Sequence, residues 1–201
     1  MASAPHEATL IERADGSLLM LMHNQHPSGK VATTVSTDGG ETWSDVSFAQ
    51  EITEIFCQPN AVPWPTEDCR ERVVFANASQ MRPYRGRGVL RLSEDGGRTW
   101  IASRTFNPAH YVYQCMTILP DGTLGLLWER EMQGLYFTRI PLEWLEPPRS
   151  DDSSYLDTRP PATLSTQEDG RRPCTPRVYN MQGGTHRCPP CMRKSLRRSQ
   201  R

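Results

Sequence analysis

Ser36-Thr-Asp-Gly-Gly-Glu-Thr-Trp43 returns further along the chain as Ser93-Glu-Asp-Gly-Gly-Arg-Thr-Trp100, identical at six of eight positions. In such a stretch the aspartate can accept hydrogen bonds from N–H groups of its own turn, while the glycines supply positive φ. The Thr-Trp pair then opens the next strand, with the indole packed between sheets. Asp38, Gly40 and Trp43, and likewise Asp95, Gly97 and Trp100, are thus expected to be turn staples. A second pair, Ala14-Asp-Gly-Ser-Leu-Leu19 and Pro120-Asp-Gly-Thr-Leu-Gly125, sets an Asp-Gly turn between apolar runs. It predicts hairpins at Asp15-Gly16 and Asp121-Gly122.

The copies of the eight-residue motif are spaced by roughly fifty to sixty residues, the period of one blade of a β-propeller. The segments around them are short, apolar and bounded by turn residues: 8–11, 17–22, 31–35, 72–76, 88–92, 113–119, 123–128 and 135–140. None sustains a helical apolar stripe, so the chain reads as an all-β meander. At four strands to a blade this is about two and a half blades, and a ring needs about four or more to close. The expectation is an open arc, a partial propeller with apolar sheet surface at each end. The missing blades would come from another chain or from a longer form of this one.

Lys+Arg and Asp+Glu are equal at 23 each, so no global field favours nucleic acid or an anionic membrane. Nothing near Met1 reads as a signal peptide and no stretch reaches membrane-span length, which predicts a soluble, by default cytoplasmic chain. The folded segment is expected over 5–145. Residues 146–201 turn to Pro, Ser and Arg with no period, and are expected to be a disordered tail. Cysteines divide into Cys57, Cys69 and Cys115 before that boundary and Cys174, Cys188 and Cys191 after it, an odd number each side that argues against a disulfide framework. Cys188-Pro-Pro-Cys191 with Cys174 and His186 could in principle hold zinc, but nothing frames it as a site. No metal and no cofactor is expected.

Ser-x-Asp-Gly-Gly-x-Thr-Trp resembles the Asp box of sialidases and related propellers, and the resemblance extends over most of 5–145. It implies a six-bladed propeller of which this is the C-terminal part. The opening His6-Glu-Ala-Thr-Leu-Ile-Glu-Arg-Ala-Asp-Gly-Ser-Leu-Leu-Met-Leu-Met22 resembles the family segment that begins with a catalytic glutamate, which places that role on Glu7. Arg85, eight residues before Ser93, falls where the family carries the third arginine of its carboxylate-binding triad; Arg82 and Arg87 lie close by. Tyr113-Gln-Cys-Met-Thr-Ile-Leu119 resembles the nucleophile segment with Tyr113 as nucleophile, and Tyr111 is a rival. Two departures stand out. His23 occupies the position of the second triad arginine, and the first arginine and the acid/base aspartate belong to blades that precede this segment.

The chemistry of these roles holds together. A sialoside carries a carboxylate on its anomeric carbon, so a carboxylate nucleophile would meet like charge, whereas a tyrosine does not. A phenol is a weak nucleophile at neutral pH and needs a base beside it, here Glu7. Arginine forks match the substrate carboxylate bidentately; histidine offers a single N–H and is the weaker anchor. The resemblance therefore implies an exo-α-sialidase-type glycoside hydrolase acting on sialylated glycans, truncated and inactive alone. The alternative is a non-catalytic propeller module that binds glycan or protein.

Overall fold

The computed structural model describes residues 6–66, 68, 70–130 and 133–147, and the backbone of Arg177–Asn180. Three antiparallel sheets of four strands follow one another along the chain. The first holds β1 (Ala8–Glu12), β2 (Leu18–Met22), β3 (Lys30–Ser36) and β4 (Ser47–Thr53). The second holds β5 (Asn60–Pro63), β6 (Val73–Gln80), β7 (Gly86–Ser93) and β8 (Ala102–His110). The third holds β9 (Gln114–Ile118), β10 (Leu124–Arg130), β11 (Gly134–Ile140) and an edge strand β12 (Arg177–Asn180). One helical turn, α1 (Leu142–Leu145), follows β11 and buries Leu145.

Alternation along the strands fixes which face each sheet turns to its neighbour. Ile11, Leu19, Leu21 and Val31 of the first sheet meet Val73 and Phe75 of the second. Val74, Ala76, Leu90 and Leu92 on the other face of the second sheet meet Met116, Leu124, Leu126 and Trp128 of the third. Each of the larger side chains, fully buried, contributes roughly 1.5–3 kcal/mol. The first strands of the sheets, β1, β5 and β9, are neighbours. Polar side chains stitch them together: Ala61 N–H donates to Thr9 Oγ1 at 3.1 Å, and Met116 N–H to Asn60 Oδ1 at 3.1 Å. Residues at the starts of β1 and β9 are thereby brought towards a common space.

Both Asp-Gly hairpins form, with Gly16 at φ 79° and Gly122 at φ 80°. In the two motifs, Asp38 accepts from Thr42 N–H at 2.9 Å and from Ser36 Oγ at 2.7 Å, and Asp95 accepts from Thr99 N–H at 2.9 Å and from Ser93 Oγ at 2.7 Å. Gly97 sits so close to the first sheet that a Cβ there would approach Leu19 Cδ2 to 2.7 Å. Trp100 packs between sheets, 5.6 Å from Phe75. Trp43 does not: it is exposed and donates its indole N–H to Gly40 O at 3.1 Å. The cause is position. The second motif leans on the sheet that precedes it, and among the described residues no sheet precedes the first.

The expected partial propeller of about two to three blades is found, as three four-stranded sheets among the described residues. β4, β5 and β8 were not predicted, since all three carry polar or Pro-containing sequence. Arg177–Asn180, inside the segment expected to lack elements, runs antiparallel to β11. The rest of the tail from residue 148, with Cys174, His186, Cys188 and Cys191, lies outside the described residues, as does Cys69.

Candidate active site

The β1–β2 hairpin register pairs Ala8 with Met22, and the ladder continues one step further, with His23 N–H donating to Glu7 O at 2.9 Å. Glu7 and His23 are therefore cross-strand partners because of the turn at Asp15-Gly16. Tyr113 immediately precedes β9, its carbonyl fixed by Glu129 N–H at 2.9 Å. Arg85 immediately precedes β7. These four strand-end residues, one or two from each of three sheets, line one cleft of about 250 Å³ together with His6, Gln25, Phe56 and Gln58.

Arg85 lies with its guanidinium carbon 5.3 Å from the centre of the Tyr113 ring, a cation–π arrangement, and its Nη1 donates to Phe56 O at 3.2 Å. Tyr113 is 40% exposed. No hydrogen bond joins its hydroxyl to Glu7; the Glu7 carboxylate lies 3.9 Å from His23 Nε2, and Glu7 and Tyr113 line the same cleft from different sheets. His23 is buried, and its Nδ1 stands 2.7 Å from Glu54 Oε1. The ring of Phe56 meets the His23 imidazole edge-on at 5.1 Å.

The rival tyrosine is separated by burial. Tyr111 is fully buried against Phe106 and Trp128, and burial holds its phenol well above the ordinary value, so it cannot serve as a nucleophile facing solvent. Arg87 is exposed and reaches Thr105 Oγ1 rather than the cleft.

The loop between β4 and β5, residues 54–59, was not singled out from sequence; it lends Phe56 and Gln58 to the cleft and bonds His23 and Arg85. Glu54 Oε1 accepts from Phe56 N–H at 2.5 Å and Cys57 N–H at 3.3 Å besides facing His23. Phe56 O holds Arg85, Cys57 Sγ–H donates to Val112 O at 2.9 Å, and Gln58 O accepts from Gln114 Nε2 at 2.8 Å. Burial pushes the Cys57 thiol up to about 11, against the pull of Arg85, so it stays a neutral donor. Two features are costly. Phe56 adopts φ 68°, a strain of about 1–3 kcal/mol for a residue other than glycine. Glu54 Oε2 is buried with no hydrogen-bond partner among the described residues, at about 1–3 kcal/mol. One sequence signal points to this loop: Glu54 is an acid set inside the apolar run Ile52 to Cys57.

Among the described residues no three His, Cys, Asp or Glu side chains are grouped to hold a metal ion. None of the described helices is long and apolar enough to cross a membrane.

No family model matches the chain. A sialidase of Micromonospora viridifaciens is 32% identical over 146 residues, covering 69% of this chain and 22% of the relative. The anhydrosialidase of Macrobdella decora is 32% identical over 142 residues, covering 63% of this chain and 18% of the relative. The chain thus spans about a fifth of the length of these curated relatives. Among solved structures, the intramolecular trans-sialidase of Ruminococcus gnavus, in complex with oseltamivir carboxylate, aligns over 73% of this chain and 34% of its own with a TM-score of 0.61 at 26% identity. A Streptococcus pneumoniae sialidase aligns over 64% of this chain and 20% of its own at a TM-score of 0.56 and 28% identity. With twelve strands in three propeller-type sheets and these relatives on both comparisons, the chain is a homologue of the sialidase family that spans part of the sialidase catalytic domain.

Proposed function

We propose that the cleft is one side of the active site of a retaining exo-α-sialidase, with Tyr113 as nucleophile, Glu7 as its base, and Arg85 facing the carboxylate of a terminal sialic acid, His23 lining the same cleft. The observation that carries this reading is convergence: a tyrosine, a glutamate and an arginine from three sheets line one cleft. In the reaction, Tyr113 Oη bonds to the anomeric carbon as the bond to the aglycone breaks, and its proton passes to Glu7. An acid/base carboxyl outside this segment would protonate the departing aglycone oxygen and then take a proton from the attacking water, while Glu7 returns its proton to Tyr113 Oη as the sugar leaves with its configuration retained. The cation–π contact of Arg85 places positive charge beside the phenol, where it would stabilise developing phenolate as well as the substrate carboxylate.

A second reading, a glycan-binding module without turnover, is favoured by one observation. The cleft-lining residues include no aspartate to protonate the aglycone. Saturation-transfer NMR of the purified chain with N-acetylneuraminic acid tests the common ground. Transfer to the sugar, abolished in Arg85→Ala and kept in Tyr113→Phe, is expected; no transfer in the wild type removes both readings. The chain alone is expected to release no fluorophore from an aryl α-sialoside. Release that disappears in Tyr113→Phe would place the acid within this segment.

A further inference from the structure

Glu54 directs three donors onto a single oxygen. Phe56 N–H, Cys57 N–H and the His23 Nδ1 all converge on Oε1, at 2.5, 3.3 and 2.7 Å. An ionised carboxylate oxygen only accepts, and with two backbone N–H groups already on Oε1, the ring nitrogen facing it must carry its proton there. His23 is thereby held in the Nδ1–H form. Its other nitrogen, Nε2, is turned to the cleft, 3.9 Å from Glu7 Oε2.

The same carboxylate shapes the backbone. By bonding the amides of Phe56 and Cys57 it closes the tight turn in which Phe56 takes φ 68°. That turn aims Phe56 O at Arg85 Nη1, and it sets Cys57 Sγ against Val112 O, beside Tyr113. Glu54 and His23 side chains are only 3% and 5% exposed, so the pair is rigid and shielded from solvent. The unpartnered Oε2 and the strained Phe56 oppose stability, which separates this arrangement from an ordinary structural ion pair.

We propose that Glu54 is the positioning residue of the cleft: it fixes the tautomer of His23 and, through the turn at Phe56, the placement of Arg85. The identity of the ligand rests on the sialidase reading above; the tautomer does not.

The test uses the full chain. Ring 15N spectra are recorded at a pH where the imidazoles are neutral, with the His23 signals identified by their loss in His23→Gln. The wild type is expected to show Nδ1 protonated and Nε2 bare. A wild-type His23 with its proton on Nε2 overturns the proposal with no variant needed, so the outcome stands even if Glu54→Ala does not fold. In folded Glu54→Ala the tautomer is expected to become mixed, and, because Arg85 loses its placement by Phe56 O, the affinity for N-acetylneuraminic acid is expected to fall about tenfold, the loss of roughly one good hydrogen bond. Glu54→Gln keeps an acceptor oxygen and is expected to hold the tautomer and stay within about threefold of the wild-type affinity. An unchanged tautomer and unchanged affinity in Glu54→Ala overturn the proposal. A wild type that shows the expected tautomer but binds no sugar overturns the functional reading and leaves the positioning role intact.

Discussion

Asp38 and Asp95 close the same turn with the same partners, yet they differ in what their turns support. The Thr42 hydroxyl and amide hold the Asp38 carboxyl well below its ordinary value. For Asp95 burial pushes the other way, and the Thr99 hydroxyl and amide and Ser93 outweigh it, so its pKa also falls. A carboxylate depressed by folding stabilises the fold above its unfolded value of 3.8, and that stabilisation disappears as pH drops through the folded value. Only the Asp95 turn carries its tryptophan into an interface between sheets, against Phe75. Asp95→Ala is therefore expected to cost about 1–2 kcal/mol and a few degrees of thermal midpoint at neutral pH. The deficit should narrow below pH 3.8, where the wild type loses the same bonds. Thermal unfolding followed by circular dichroism across pH checks this; a deficit that stays constant into acid would show that the charge on Asp95 is irrelevant. Residue by residue, Tyr113, Glu7, Arg85 and His23 were named through the resemblance of their segments to those of sialidases, and the structure brings the four to one cleft. Glu54, which faces His23 across 31 positions of sequence, was not named, since only the packing of β4 against β3 brings the two together.

The strands that the sequence left out share a location and a physics. β4 and β8 are the outermost strands of their sheets, with one edge open, so their alternation is half-buried against exposed rather than apolar against polar. β5 is short and ends in Pro63, which the end of a strand tolerates. The strands inside the sheets, β2, β3, β6, β7, β10 and β11, were readable because both neighbours demand β-branched and aliphatic residues. The edge strand β8 also carries a constraint invisible to periodicity. Its pairing with β7 slips at Gly86, where a Cβ would meet Ala109 O at 2.6 Å and His110 Cα at 3.1 Å. Both are backbone, so neither yields by a change of rotamer. Gly86→Ala is expected to force β8 away from β7 and to destabilise the chain by about 1–3 kcal/mol in urea unfolding. Because Arg85 is the preceding residue, the same variant should weaken binding of N-acetylneuraminic acid. Wild-type stability in Gly86→Ala would mean that the bulge can absorb a methyl group and that Arg85 is not held by it.

At the scale of the whole molecule, the middle sheet is covered on both faces and the outer two on one face only, among the described residues. The uncovered face of the first sheet carries Leu10, 51% exposed, opposite Met20 on β2. The uncovered face of the third carries Leu135, 52% exposed, with Leu127 and Phe137 paired across β10 and β11 beside it. Sheets of this kind reach stability by stacking, and one with a bare apolar face is short of one neighbour. This segment aligns with 34% of the Ruminococcus gnavus chain, which has further length beyond the aligned part. A chain of 22.8 kDa with two such faces should bury them against something, so it is expected to self-associate rather than to persist as a monomer. Light scattering coupled to size exclusion should give masses above 22.8 kDa that rise with loading concentration. Replacing Leu10 and Leu135 by lysine should shift the distribution towards the monomer, because each removes an apolar anchor at a face while leaving both cores untouched. A monodisperse monomer at all concentrations, unfolding in one cooperative calorimetric transition, would show that three sheets suffice and that the two interfaces between them already hold the arc together.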